Sequence, residues 1–145
     1  MKEIEIERLF NKALCERYPF LIPRNVWTDS IVEDYNYEFT ELDGMPDGWR
    51  KAFGIQFMEE LREELIKVNN LNTFRIIQIK EKFGGLRFYI NGAPPNSKIY
   101  DIINKYEDLS FEICEFCGAP GKTEDYQGWL FTWCKNCKNK IKNRK

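Results

Sequence analysis

The chain has 145 residues, 22 of them basic and 23 acidic, for a formal net charge of −1, so it is neither a uniformly basic nucleic-acid binder nor an acidic disordered chain. With 43% hydrophobic and 15% aromatic residues it can fill one sizeable core but not two. Histidine is absent, which removes the usual general base, the common catalytic zinc ligand and every His-dependent triad.

The N-terminus, Met1-Lys-Glu-Ile-Glu-Ile-Glu-Arg8, is charged and lacks the apolar core of a signal segment, and no apolar run reaches the length of a membrane span. The expectation is a soluble cytoplasmic protein. Ile6, Leu9, Phe10, Ala13 and Leu14 recur at helical spacing, with Glu5, Glu7, Arg8, Asn11, Lys12 and Glu16 opposite, which predicts a first helix over 2–17 ended by Pro19. Cys15 beside that stripe reads as a buried small hydrophobe. Tyr18 to Arg24 reads as an extended apolar connector across the core, because residues before proline disfavour the α region. Val26-Trp27 and Ile31-Val32 are candidate anchors.

From Asp29 to Asp47 there are seven acids and no base, with Tyr35, Tyr37 and Phe39 alternating as in a short strand. The turn cluster Leu42-Asp-Gly-Met-Pro-Asp-Gly-Trp49 leads into a second helix reaching Val68, with Asp43 or Asp47 placed to accept its free amides. Trp49, Ala52, Phe53, Phe57, Leu61, Leu65 and Val68 form its apolar stripe, which is core and not a cofactor box.

Phe74 to Phe83 and Leu86 to Ile90 are β-rich runs separated by Gly84-Gly85, the signature of a hairpin with a two-residue primed turn. That register sets Phe83 against Leu86, Lys82 against Arg87, Lys80 against Tyr89 and Ile79 against Ile90. It sends Ile77, Ile79, Phe83, Leu86, Phe88 and Ile90 to the core and gathers Lys80, Lys82, Arg87 and Tyr89 on the other face. Glu81 falls on the apolar face, a misfit pointing to an edge or a bulge. Facing cations repel by a few tenths of a kcal/mol unless something anionic covers them. Two readings of the face stay open: a solvated surface neutralised by the acidic segment, or an anion site of two lysines, an arginine and a tyrosine hydroxyl.

Asn91 to Asn96 is a loop, after which Asn96 or Ser97 caps a third helix burying Ile99, Ile102, Ile103, Tyr106 and Leu109. Then come Cys114-Glu-Phe-Cys117 and Cys134-Lys-Asn-Cys137, sixteen residues apart. This spacing reads as a four-thiolate site for one structural zinc, with Gly118 allowing the tight knuckle; two disulfides or a redox dithiol are the alternatives. Trp129, Phe131 and Trp133 lie on a short hairpin, where they shield the metal, pack on the third helix or, if exposed, mark a contact surface. Lys135 to Lys145 carries six bases and no acid, and its last eight residues read as a mobile basic tail.

The predicted architecture is α+β: three helices packed on a small antiparallel β-hairpin, followed by a C-terminal four-cysteine zinc ribbon. Residues 1–110 form the core, 111–137 the ribbon and 138–145 the flexible tail.

Three motifs, Lys80-Glu-Lys-Phe-Gly-Gly-Leu-Arg-Phe-Tyr89, Pro46-Asp-Gly-Trp-Arg50 and Cys114-Glu-Phe-Cys-Gly118, together resemble a family of small, functionally unassigned proteins of tailed bacteriophages and bacterial genomes. The likeness covers roughly residues 45–137. Such proteins often carry histidine at the last metal position, whereas Cys137 here makes the site all-thiolate. The resemblance implies an accessory role in host takeover or defence evasion, in the host cytoplasm if phage-encoded.

Three functional classes follow. The first is a non-enzymatic interaction protein, stiffened by zinc, that binds a host protein. The second is recognition of a phosphate-bearing ligand, nucleotide or nucleic acid through Lys80, Lys82, Arg87 and Tyr89 with help from the tail. The third, weaker, is an enzyme using Glu41, Asp43 or Asp47, which would work without histidine, an open metal position or a phosphate loop.

Overall fold

The computed structural model describes residues 2–25 and 27–144. Helix α1 (Glu3–Arg17) buries Asn11, Leu14 and Cys15, while Ile6, Leu9, Phe10 and Ala13 are exposed. The expected stripe is therefore rotated. The helix is apolar around much of its circumference, so periodicity alone does not select the buried side. Asn11 settles it by donating its amide to the Tyr37 carbonyl at 2.9 Å, which satisfies a buried polar group and ties down the acidic segment. Pro19–Leu21 forms a single 3₁₀ turn instead of an extended connector, yet it does plug the core, with Phe20 and Leu21 fully buried. The anchors expected next are not anchors: Trp27 is 91% exposed, Ile31 and Val32 are exposed, and Val26 lies outside the described residues.

The acidic segment forms no strand. Asp34 and Tyr37 take left-handed backbone conformations with φ of 56° and 65°, which breaks the extended run that the aromatic alternation suggests. Three of its seven carboxylates pair within the fold, Glu38 with Arg8, Asp43 with Arg50 at 2.6 Å and Asp29 with Arg75 at 3.7 Å. Asp43 also completes a capping box with Thr40 around the 3₁₀ turn Glu41–Gly44, accepting from Thr40 N at 2.8 Å.

Helix α2 runs over 47–67, with a π turn at Arg50–Gly54 between regular α segments. The π turn follows from the sequence. Trp49, Phe53, Phe57, Leu61 and Leu65 are spaced strictly by four, and at 3.6 residues per turn each step drifts about 40°. The wider turn takes up part of that drift and keeps Trp49 and Phe53 on the buried side with the other three. Ala52 at the same level is exposed and Val68 only half-buried.

Strands β1 (Arg75–Lys82) and β2 (Gly85–Asn91) form an antiparallel hairpin whose turn lies one residue earlier than expected, so the pairing partners of residues 78–82 are shifted by two and the faces are kept. Phe83-Gly84 makes the turn, Lys82 pairs with Gly85, Glu81 with Leu86, Lys80 with Arg87 and Ile79 with Phe88. Gly85 lies in the strand with the tip of the Phe111 ring against it: a Cβ there would stand 2.3 Å from Cζ of that ring. Phe83 consequently takes the left-handed turn position, φ 55°, and is exposed, not core. A bulge between Ile76 and Gln78 turns Ile77 outward as well and buries Ile76.

Helix α3 (Ile99–Ser110) packs on α2 through a Phe57–Tyr106 stack at 4.4 Å, and Phe57 in turn meets Phe88 of β2 at 4.6 Å. Its N-terminus is capped not by Asn96 or Ser97 but by the buried carboxylate of Glu64 on α2, which accepts from Lys98 N at 2.8 Å. Two outward N–H groups of β2 are answered from α3, Leu86 N by Ser110 Oγ at 2.9 Å and Phe88 N by Glu107 Oε2 at 3.0 Å, so this sheet edge is closed.

A second hairpin, β3 (Lys122–Tyr126) and β4 (Trp129–Trp133), leads into helix α4 (Lys135–Lys142). The described residues thus hold four helices, not three. The fourth occupies the stretch expected to be a mobile tail, held down by the Lys138–Glu124 ion pair at 2.9 Å and by Lys142 over the Tyr126 ring. No helix among the described residues is long and apolar enough to cross a membrane.

Candidate functional site

The two cysteine pairs arrive on different structures. Cys114 and Cys117 sit on a knuckle closed by Cys114 N to Ala119 O at 2.7 Å and Gly118 N to Cys114 O at 3.0 Å, with Gly118 at φ +85° where its lack of a Cβ is needed. Cys134 and Cys137 sit on the first turn of α4, where Cys134 is the N-cap and its sulfur accepts from Cys137 N at 3.4 Å. That donor holds the Cys134 thiol below its ordinary range and favours the thiolate that metal binding requires. The arrangement is knuckle, hairpin and helix, and not the ribbon of two knuckles that the spacing suggests.

The four sulfurs lie within 4.8 Å of one another, Cys117 and Cys134 at 3.6 Å, which is the scale of the edges of a tetrahedron with metal–sulfur bonds of about 2.3 Å. Cys114 is buried and the others half-buried. All five cysteines are free. The four together are placed to hold one metal ion.

Glu115, between the first two ligands, joins this unit to the core. Its carbonyl accepts from Gly48 N at 2.8 Å, its N–H donates to Thr132 O at 2.9 Å, and its buried carboxylate accepts from Thr132 N at 2.9 Å. Burial pushes that carboxyl up to about 7 against the opposing pull of the Thr132 N–H. Trp49 adds an indole donor to Ile113 O at 2.8 Å, and Thr132 Oγ1 donates to Gly84 O in the first hairpin's turn at 2.5 Å. Periodicity assigned Trp49 to the core; Glu115, Thr132 and Gly48 were missed. The signal available for Gly48 was a glycine in the first turn of an amphipathic helix.

The two hairpin turns stand side by side and enclose a groove of about 620 Å³ lined by Glu81, Lys82, Phe83, Asp125, Trp129 and Phe131, among others. Trp129 is 72% exposed and Phe83 65%. Of the three aromatics expected on this hairpin, Trp133 is buried with its indole on Glu124 at 2.8 Å, Phe131 stacks on Trp133 at 4.7 Å, and Trp129 is left to solvent.

Lys80, Lys82, Arg87 and Tyr89 do share one face, although Lys80 and not Lys82 stands opposite Arg87, and Tyr89 stands opposite Gln78. The Lys80 ammonium lies 5.5 Å over the Tyr89 ring. Among the described residues none of the three cations is in an ion pair, and the three acidic-segment carboxylates that do pair, Glu38, Asp43 and Asp29, lie against Arg8, Arg50 and Arg75. Comparison with family models, curated proteins and solved structures finds no match for this chain.

Proposed function

We propose that this protein is a non-enzymatic binding protein in which one structural zinc, held by Cys114, Cys117, Cys134 and Cys137, fixes the second hairpin beside the first so that the groove between their turns takes an apolar segment of another protein. The observation that carries the reading is the pair of exposed aromatic side chains, Phe83 on the first hairpin's turn and Trp129 at the start of β4, on two hairpins tied together by the Thr132–Gly84 hydrogen bond. Solvent-exposed aromatics on rigid turns lose little conformational entropy when a partner covers them, and such residues anchor interfaces. Zinc is the metal of choice for an all-thiolate tetrahedral site, and four protein ligands leave no position for a reacting water. The motif likeness to phage and bacterial proteins supports a host protein as the partner and host takeover or defence evasion as the setting.

The test is affinity capture from a bacterial lysate, with and without nuclease, using wild type and a Phe83→Ser/Trp129→Ala double variant of equal melting temperature and metal content. A nuclease-resistant protein lost by the variant supports the reading. Equal capture by both proteins refutes it.

A second reading, recognition of a phosphate-bearing ligand by the basic hairpin face, is supported by Lys80, Lys82 and Arg87 sharing one face with Tyr89 and making no ion pair among the described residues. Replacing Lys80 and Arg87 with glutamine relieves the repulsion of a facing pair, so it holds or slightly raises stability while abolishing salt-dependent binding of nucleotides or short DNA. Unchanged binding by that variant removes this reading.

A further inference from the structure

Arg24 and Arg75 line one crevice of about 60 Å³, together with Asn25, Asp29, Asn91 and the Ile76–Ile77 bulge. It forms where the loop between Arg24 and Ile31 folds back, with Asn25 N on Ser30 O at 2.8 Å and Asp29 N on Asn25 O at 2.8 Å, against the end of the first hairpin, where Arg75 pairs with Asn91. Each guanidinium has one anchored arm: Arg24 Nη1 donates to Asp29 O at 2.9 Å and Arg75 Nη1 to Phe74 O at 2.8 Å.

Their remaining donors are not all used. Among the described residues three arginine Nε atoms are buried without an acceptor, and two of the three are those of Arg24 and Arg75. The single carboxylate at the crevice, Asp29, stands 3.7 Å from Arg75 Nε, too far for a hydrogen bond, and its side chain is 62% exposed. Two cations therefore meet one loosely held anion. Burial first and the neighbouring Arg24 second lower the Arg75 guanidinium from its ordinary range, the signature of uncompensated positive charge. A buried donor without an acceptor costs about 1–3 kcal/mol; the two Nε atoms have almost no accessible surface, so an acceptor from outside meets the Nη2 groups of the same guanidinium ions, which make no hydrogen bond among the described residues.

We infer that the crevice between Arg24 and Arg75 is a binding site for a small tetrahedral oxyanion, either free phosphate or the phosphate group of a monoester. Guanidinium forks match the oxygens of such a group, and the side-chain amides of Asn25 and Asn91 add neutral donors at the rim. One water needs only about 10–15 Å³ of such space, so the crevice admits a group of a few heavy atoms and leaves any ester substituent outside. No residue is shared with the basic hairpin face, and the two sites are separable by mutation.

The experiment is calorimetric titration of the metal-loaded full chain with inorganic phosphate at low ionic strength, followed by glycerol 3-phosphate and phosphoserine, with thermal melts in parallel. The expected result is phosphate binding that raises the melting temperature, weakened about tenfold or more by Arg24→Gln or Arg75→Gln, unchanged by the Lys80→Gln/Arg87→Gln variant, and strengthened by Asp29→Asn, which removes the competing carboxylate. If Arg75→Gln does not fold, Arg24→Gln and Asp29→Asn carry the test. Binding of the esters as tight as that of phosphate assigns the site to a phosphate group on a larger molecule, and exclusion of the esters assigns it to the free ion. Absence of heat and of stabilisation in both wild type and Asp29→Asn overturns the proposal, as does binding unaffected by either arginine substitution.

Discussion

The backbone N–H of Gly48 donates to the carbonyl oxygen of Glu115 at 2.8 Å, so a free amide of the first turn of α2 is satisfied from inside the metal knuckle. The coupling runs both ways. Without its ion the four sulfurs lose their common bond, and the short knuckle and hairpin have little core of their own. Removing the metal with a chelator under reducing conditions is expected to open residues 111–137 and the first turn of α2, while α3 and the first hairpin stay protected. Hydrogen exchange with mass spectrometry reads this directly. Uniform protection before and after metal loss contradicts it.

Gly48 also offers a sharper probe. A Cβ at this position would lie 2.1 Å from the Cys114 carbonyl oxygen and 2.7 Å from Gly118 N, contacts with rigid backbone that no rotamer relieves. Gly48→Ala, mild in most helices, is expected to cost about 1–3 kcal/mol or more here and to weaken metal retention at the same time. Denaturant melts paired with a chromophoric chelator competition measure both. A stable variant with normal metal affinity would show that helix and knuckle are not coupled through this contact.

The cysteine spacing, the hairpin and the helical stripe over 49–65 were readable because each is a local pattern with one dominant cause. What stayed hidden depends on contacts between distant segments. The turn of the first hairpin lies one residue early, shifting its pairs by two, where Phe111, 26 positions away, packs against Gly85, and turn chemistry alone favours Gly84-Gly85. The α1 face was ambiguous because Ile6, Leu9 and Phe10 present a second apolar surface, and the buried side is the one where Asn11 bonds Tyr37 beside Leu14 and Cys15. The fourth helix was missed because its composition is nearly all polar: its order comes from Cys134 at the N-cap and from Glu124 on the neighbouring strand.

Cys15 provides a check on that rotated helix. It is 3% exposed, with its sulfur 3.8 Å from the Tyr35 hydroxyl, and burial raises its thiol pKa. Both accessibility and thiolate fraction are therefore low at neutral pH. Cys15 is expected to remain unmodified by a thiol reagent under native conditions and to react once the protein is unfolded. Peptide mapping with the metal site occupied separates it from the four ligand cysteines. Rapid labelling of Cys15 in the folded, metal-loaded protein would contradict its placement in the core.

Glu41 carries the pH dependence. It follows Thr40 in the 3₁₀ turn, and burial raises its carboxyl to about 7, whereas an unfolded chain titrates near the ordinary glutamate value of about 4.3. A carboxyl whose folded pKa is raised binds its proton more tightly in the native state. Its contribution to stability is therefore fully present below the unfolded value and is lost as pH rises through about 7. Glu41→Gln mimics the protonated form at every pH. It is expected to be more stable than wild type at about pH 8, by about 1–3 kcal/mol, with the advantage shrinking towards zero at about pH 4. Denaturant unfolding of both proteins across that range, each with metal bound, isolates this residue from other titrating groups because they are common to both. A constant difference at all pH values, or a variant less stable at about pH 8, would mean that Glu41 is ionised in the folded protein and plays no part in its alkaline loss of stability.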